Sequence, residues 1–327
     1  VASLGTHANA AAATGARYGG IDLARLVLAL CVVLAHCATF QAVGDWAHFF
    51  FNNGLARIIV PFFLLTTGYF FERQMQAGLA PWLWRVGRIY LAWTLVYLPF
   101  LLFYQAVTPY RIALTLFFGF FHLWYLPALL GGMALLYVMR NLRDGVLFWS
   151  AFALFLVGSA LQYAENLWLD LNAFDSPYDL LVVTRNFLFY GFPYLALGLL
   201  IRRREPMVGQ PALVRLAALA AGFLFLGAEC LLEFRLFDPN GFFDLTVSAF
   251  VLTPVLFIAV RDLPLVLPGF DPRKLSMVVY LSHPLYLLPL RELTGAGPLA
   301  LTVMTLAVTL LLAPAWLWMA RRLPILP

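Results

Sequence analysis

Apolar runs long enough to cross a bilayer recur from one end of this chain to the other, with only short polar breaks between them. A helix rises about 1.5 Å per residue, so about 20 apolar residues cross a hydrocarbon core about 30 Å thick. The runs are continuous rather than alternating, which argues against a barrel. Charged residues make up 11% of the 327, against roughly 25% in a soluble domain. The fold class that follows is all-α, a polytopic integral membrane protein.

Ten candidate spans can be drawn, near 21–41, 48–71, 87–106, 114–139, 146–164, 181–201, 212–232, 244–260, 275–290 and 298–319. The run at 114–139 is long, and Pro127 is expected to kink it. The run at 275–290 is short, carries Pro284 and Pro289, and is expected to break. Loop charges set the orientation. Arg73, Arg85 and Arg88, then Arg140 and Arg143, Arg202 to Arg204, Arg261, Arg273 and Lys274, and Arg321 and Arg322 fall in alternate loops. The opposite loops carry Asp45, then Glu165, Asp170, Asp175 and Asp179, then Glu233, Asp238 and Asp244, and Glu292. By the positive-inside rule both termini are cytoplasmic, which requires an even number of transmembrane helices and agrees with about ten.

The same placement accounts for the net charge of +5 without invoking a nucleic-acid partner. Cys31, Cys37 and Cys230 lie within apolar runs and read as small buried hydrophobes rather than a disulfide or metal ligands. Residues 1–19 read as a polar, flexible N-terminal leader, 20–322 as the ten-helix transmembrane domain and 323–327 as a short tail. No cleavage pattern follows the first apolar run, so it is expected to be a retained helix.

That first run holds Asp22, Arg25 and His36. At about 100° per residue, the eleven steps from Arg25 to His36 make three turns plus about 20°, so both side chains share one face about 16 Å apart. Asp22, three residues before Arg25, shares that broad face. An ionisable group at mid-span costs about 2.5–3.5 kcal/mol on insertion scales, so a line of three marks a site. Orientation puts Asp22 and Arg25 at the cytoplasmic end and His36 in the outer half.

His283 is a second deep histidine, for which a structural hydrogen bond to another helix is the plainer reading. Arg85 and Arg88 lie one turn apart at a helix start, as a topology signal or as a fork for cytoplasmic phosphates. VPFFLLTTGYFF puts Pro61, Thr66, Thr67 and Gly68 in an aromatic run, suited to a kink and close helix approach. FHLWYLPAL joins His122, Trp124 and Tyr125, as an interfacial aromatic belt or part of a site. VVYLSHPLYLL gathers Tyr280, Ser282 and His283. No Ser-His-Asp motif, zinc-ligand spacing or Gly-rich phosphate loop is evident, and no metal is expected.

Taken in order, these segments resemble the membrane acyltransferase family 3, ten-helix O-acyltransferases of bacteria and eukaryotes. IDLARLVLALCVVLAH is similar to the family's opening Asp-x-x-Arg and following His, VPFFLLTTGYFF to its FF-x-x-SGY segment, and RVGRIYLAW to its Arg-x-x-Arg helix start. HLWYLPAL resembles its HLWFL segment and LSMVVYLSHPLYLL its late S-x-x-x-Y-x-x-H helix, so the likeness runs from about residue 18 to 320. Thr67 departs from the usual serine but keeps a hydroxyl.

The resemblance implies a bacterial inner-membrane enzyme that moves an acyl group, commonly acetyl from acetyl-CoA, to a hydroxyl of a polysaccharide or lipid-linked oligosaccharide. It also implies that Arg25 and His36 are essential. Arg25, Arg85 and Arg88 would hold the CoA phosphates at the cytoplasmic mouth, and the pantetheine arm would run along the first helix toward His36. His36 would act as general base in direct transfer, with a covalent acyl-His36 as the alternative. Asp22 would orient Arg25 or cap the helix. His122, Trp124, Tyr125, Ser282 and His283 would line the acceptor side. A glycan transporter or exporter, with the polar line as its pathway, is the competing reading; succinyl in place of acetyl is a variant of the first.

Overall fold

A computed structural model describes residues 18–104, 108–168, 184–208, 210–237, 241–263, 265 and 269–323. Its helices are α1 (Gly19–His36), α2 (Asp45–Tyr69), α3 (Leu79–Tyr104), α4 (Pro109–Phe118), α5 (Phe121–Met139), α6 (Asp144–Trp168), α7 (Phe192–Arg204), α8 (Ala212–Leu236), α9 (Val247–Arg261), α10 (Pro272–Thr294) and α11 (Pro298–Ala320). No strand occurs among the described residues. Seven of the helices, α1, α2, α3, α5, α6, α8 and α11, are long and apolar enough to cross a bilayer. With α7, α9 and α10 they occupy the ten predicted runs, and the protein is an all-α polytopic membrane protein.

The helices are apolar on the outside as well as the inside, as lipid requires and water forbids. On α3, Trp93, Tyr97 and Leu101 are buried while Leu91, Leu95, Leu98 and Leu102 stand exposed. On α11 the usual pattern inverts: Thr302, Thr305 and Thr309 point inward while Val303, Leu310 and Leu311 point out.

The centre is α7, buried at every residue from Phe192 to Ile201 and packed on α2, α5, α6 and α9. At about 20 Å it is shorter than the bilayer core, but it touches protein on all sides and has no lipid thickness to match. Its crossing with α2 depends on missing side chains. A Cβ on Gly68 would lie 2.0 Å from the Leu195 carbonyl oxygen, and one on Gly198 would lie 2.1 Å from that of Leu65. The glycine of the TTGY segment is thus a packing residue.

Charges from loops assigned to one side meet one another. At the cytoplasmic end Arg203 and Arg204 pair with Asp144 at 3.1 and 2.6 Å. Nearby, Glu205 takes hydrogen bonds from Arg202, Arg261 and Tyr69. At the outer end Arg57 and Arg185 converge on Asp244.

Several boundaries differ from the hydropathy reading. The run at 114–139 is two helices, parted at Gly119, whose φ of +86° only glycine adopts freely and whose amide closes α4 on Thr115 O at 2.8 Å. Pro127 then falls in the first α-helical turn of Tyr125–Met139, where its missing N–H has no partner to lose. The expected break in the ninth span does not occur: α10 is one helix through Pro284 and Pro289, held against α1 and α11. The first span ends at His36, because Ala38 (φ 52°) turns the chain into a short 3-10 segment, Thr39–Ala42. In the sixth, Asn186 Oδ1 accepts from the amides of Leu188 and Phe189 and starts a π turn, Phe187–Gly191, ahead of α7. Positions 181–183 of that span lie outside the described residues, as do 1–17 of the leader and 324–327 of the tail. The eighth begins at Val247, leaving Asp244 in the outer loop.

Candidate active site

The site is built where α1 and α10 lie side by side. They run in the same direction: Asp271 and Arg273 at the start of α10 act electrostatically on Arg25, and His283 further along bonds His36. Arg273 precedes His283 by ten residues, nearly repeating the eleven between Arg25 and His36. Because α1 is unbroken from Gly19 to His36, the separation of about 16 Å along its axis holds in the folded chain.

At the outer end of this line His36 Nδ1 lies 2.8 Å from His283 Nε2. His283 Nδ1 in turn lies 2.9 Å from the carbonyl oxygen of Val279, four residues back in the same helix. A carbonyl only accepts, so His283 Nδ1 carries the hydrogen and, in the neutral ring, Nε2 is the lone pair. His36 Nδ1 must then donate to it. What remains on His36 is a bare Nε2, a proton acceptor whose tautomer is fixed by a second histidine.

The rest of the pocket packs on this pair. The Phe121 ring lies 4.7 Å from that of His36, carried on a backbone with φ of 49°, which is strained for a bulky residue. The next residue, His122, is buried edge-on to His283 at 5.4 Å and to Tyr97 at 5.0 Å. Neither His122 ring nitrogen has a hydrogen-bond partner. Tyr280 donates to the His122 carbonyl at 2.7 Å, and Tyr97 donates to that of Leu281 at 2.6 Å, tying α5 and α3 to α10. Among the described residues no cluster of three or more His, Cys, Asp or Glu has the arrangement of a metal site.

At the cytoplasmic end Arg25 lies over the Phe63 ring at 5.7 Å, with its Nε buried and without a partner. Tyr125 and Asp22 bear on its charge. Phe63, Tyr125 and Tyr280 form an aromatic wall between Arg25 and the histidines, with ring separations of 5.7 to 6.3 Å. Thr67 donates to the Phe63 carbonyl at 3.0 Å.

The predicted residues therefore fall into groups. Asp22, Arg25 and His36 share α1; Tyr125 lies in the aromatic wall beside Arg25, and His283 and His122 pack around His36. Trp124 stands under the Arg185 guanidinium, at 5.2 Å. Arg85 is exposed at the start of α3, and Arg88 lies over Trp84 with its Nε buried and unpartnered. The Ser282 hydroxyl donates to Val278 O at 2.8 Å, within its own helix, and is fully buried. Sequence reasoning treated Arg273 as a loop charge, although its spacing to His283 was readable. It gave Arg291 no role; the Arg291 guanidinium caps the His36 carbonyl at 2.9 Å.

A half-buried, tautomer-fixed histidine on the same helix as an arginine at its opposite end marks a candidate site inside the helical domain. A model of the acyltransferase domain family matches residues 18–318, and the chain belongs to acyltransferase family 3. It is similar to a serine/alanine racemase of Enterococcus gallinarum, 28% identical over 81% of this chain and 40% of that protein. It is also similar to an amino-acid racemase of Enterococcus faecalis, 24% identical over 86% of this chain and 43% of that protein. The chain thus spans well under half the length of these curated relatives. No solved structure matches it.

Proposed function

We propose that the chain is an O-acetyltransferase of a bacterial inner membrane. It moves an acetyl group from cytoplasmic acetyl-CoA to a hydroxyl of a polysaccharide or lipid-linked oligosaccharide, with His36 as general base. The observation that carries this reading is the bonded chain Val279 O, His283, His36, which leaves His36 Nε2 unprotonated in a half-buried position. An acceptor hydroxyl gives its proton to Nε2 as its oxygen bonds to the thioester carbonyl carbon. The carbon–sulfur bond breaks, and Nε2 returns the proton to the departing thiolate, so His36 ends as it began.

The donor's phosphates fit the other end of the path. Arg25 and Arg88 each hold a buried Nε without a partner, and guanidinium groups pair with phosphates as forks. Arg85, Arg273 and Lys274 add exposed positive charge at the same face. The amino ends of α1 and α10 lend their dipoles to an anion there. Asp22 and Tyr125 hold Arg25 in place rather than meet substrate. His122, Trp124 and His283 border the acceptor, with Ser282 in the helix behind them.

The test is acetyl incorporation into surface glycan in a deletion strain complemented with wild type, Arg25→Ala or His36→Ala. Both variants are expected to leave the glycan unacetylated while reaching the membrane in normal amount. Full acetylation by both overturns the assigned roles. Acetyl label retained on His36 after quenching would replace direct transfer by the covalent route.

A further inference from the structure

The start of α1 is pressed against the end of α9 and the connection into α10. A Cβ on Gly19 would lie 2.0 Å from the Leu265 carbonyl oxygen, and one on Gly20 would lie 2.0 Å from that of Val260. Only residues without a side chain allow that approach. Beyond this seat α1 and α10 pack side by side, and the bond between His36 and His283 sets their relative height. Counted back from that bond, Arg25 lies about 16 Å and Arg273 about 15 Å toward the cytoplasm. The two arginines are therefore level, and the charge of Arg273 bears on Arg25, as do the carboxylates of Asp22 and Asp271.

Level with each other, the two differ in burial. Arg25 is turned inward over Phe63, with its Nε buried and without a partner. Arg273 is exposed, and so is Lys274 beside it. Among the described residues neither the Arg273 guanidinium nor the Lys274 ammonium has a hydrogen-bond or ion-pair partner. Asp271 serves as the cap of α10, its Oδ1 accepting the Lys274 amide at 3.4 Å.

CoA carries phosphate in two places. A diphosphate joins the pantetheine arm to the ribose, and a separate monophosphate sits on the ribose 3′-oxygen. The diphosphate is in line with the arm, so it follows the thioester inward to the buried guanidinium. The ribose and its monophosphate stay outside, level with the exposed pair. The order of burial on the protein matches the order of phosphates on the donor.

We infer, resting on the acetyl-CoA reading above, that Arg273, with Lys274, selects the donor by its ribose 3′-phosphate. Arg273 forks two N–H groups onto the phosphate oxygens, and Lys274 adds a point charge. Arg25 holds the diphosphate whichever donor is bound. Donors that lack the monophosphate are thereby disfavoured at the binding step, apart from the chemistry at His36.

The test is direct binding of CoA and of 3′-dephospho-CoA to the purified full chain, by titration calorimetry in low-salt buffer, where exposed charges are least screened. Binding needs no acceptor. Wild type is expected to bind CoA about fivefold or more tighter than 3′-dephospho-CoA, the upper end for one exposed ion pair. Arg273→Gln, at an exposed position, is expected to bring the two ligands within about twofold of each other by weakening CoA. Equal affinity of wild type for the two ligands, or an undiminished gap in Arg273→Gln, overturns the inference while leaving the acetyl-CoA reading intact. Binding of neither ligand by wild type overturns both.

Discussion

Replacing His283 by leucine tests the histidine pair in isolation from the rest of the fold. Leucine fills a similar volume in a fully buried position but offers no acceptor to His36 Nδ1, now 2.8 Å from His283 Nε2. A buried donor without a partner costs about 1–3 kcal/mol. The ring escapes that cost by moving its hydrogen to Nε2 or by turning, and either way the base is lost. Expressed on the barrier, the range is about a 5- to 160-fold fall in turnover. His283→Gln restores an amide oxygen that accepts a hydrogen bond, and is expected to recover part of the loss. The assay is single-turnover acetyl transfer by purified protein in vesicles, with CoA release and acylated acceptor measured together. Donor KM is expected to stay within about twofold of wild type in both variants, since the proposed phosphate site is at the other end of α1, about 16 Å away. Wild-type turnover in His283→Leu, or a glutamine variant slower than the leucine one, would refute the tautomer argument.

Other outcomes follow from the same geometry. Gly68→Ala places a Cβ 2.0 Å from the Leu195 carbonyl and forces α2 from α7; at about 1–3 kcal/mol or more, it is expected to lower Tm in detergent by several degrees. Gly227→Ala on α8, with nothing within 4 Å of the added carbon, is expected to be neutral or slightly stabilising in the same scan. Arg25→Ala is expected to raise the KM for acetyl-CoA more than Arg85→Ala, because Arg85 is exposed whereas Arg25 holds a buried Nε without a partner. Asp244→Asn removes the buried carboxylate on which Arg57 and Arg185 converge and is expected to cost about 3–5 kcal/mol, visible as a loss of monodisperse protein on extraction. Burial alone would raise the Asp244 carboxyl, but Arg185 and then Arg57 outweigh it and hold it below its ordinary value. Its stabilising contribution is therefore complete above the ordinary carboxylate pKa and is lost only as pH falls through the depressed one. Hydrogen exchange of the Asp244 and Leu245 amides, both bonded to Gln162, is expected to stay protected from pH 7 down to about 4.5.

Hydropathy made the spans legible because lipid selects for apolar runs on every helix face. The line from Arg25 to His36 was legible because one unbroken helix carries both. Neither signal reaches across the chain. Nothing near His36 in sequence announces that His283, 247 residues away, takes its hydrogen. The Asp244 carboxylate meets Arg57 and Arg185 across 187 and 59 residues, where a one-dimensional reading sees only a loop charge. Gly119 parts α4 from α5 through a backbone angle, which a hydropathy average does not register. Pro284 and Pro289 misled in the other direction. Burial against α1 and α11 keeps α10 whole despite two missing amide donors.

The most direct test of the account is CoA release by purified protein given acetyl-CoA and a glycan acceptor, for wild type beside His36→Ala. Wild type is expected to release one CoA for each acetyl ester formed, and His36→Ala to release none above background while keeping the wild-type Tm. CoA release by His36→Ala at the wild-type rate, or movement of glycan across the vesicle without CoA release by wild type, would contradict it.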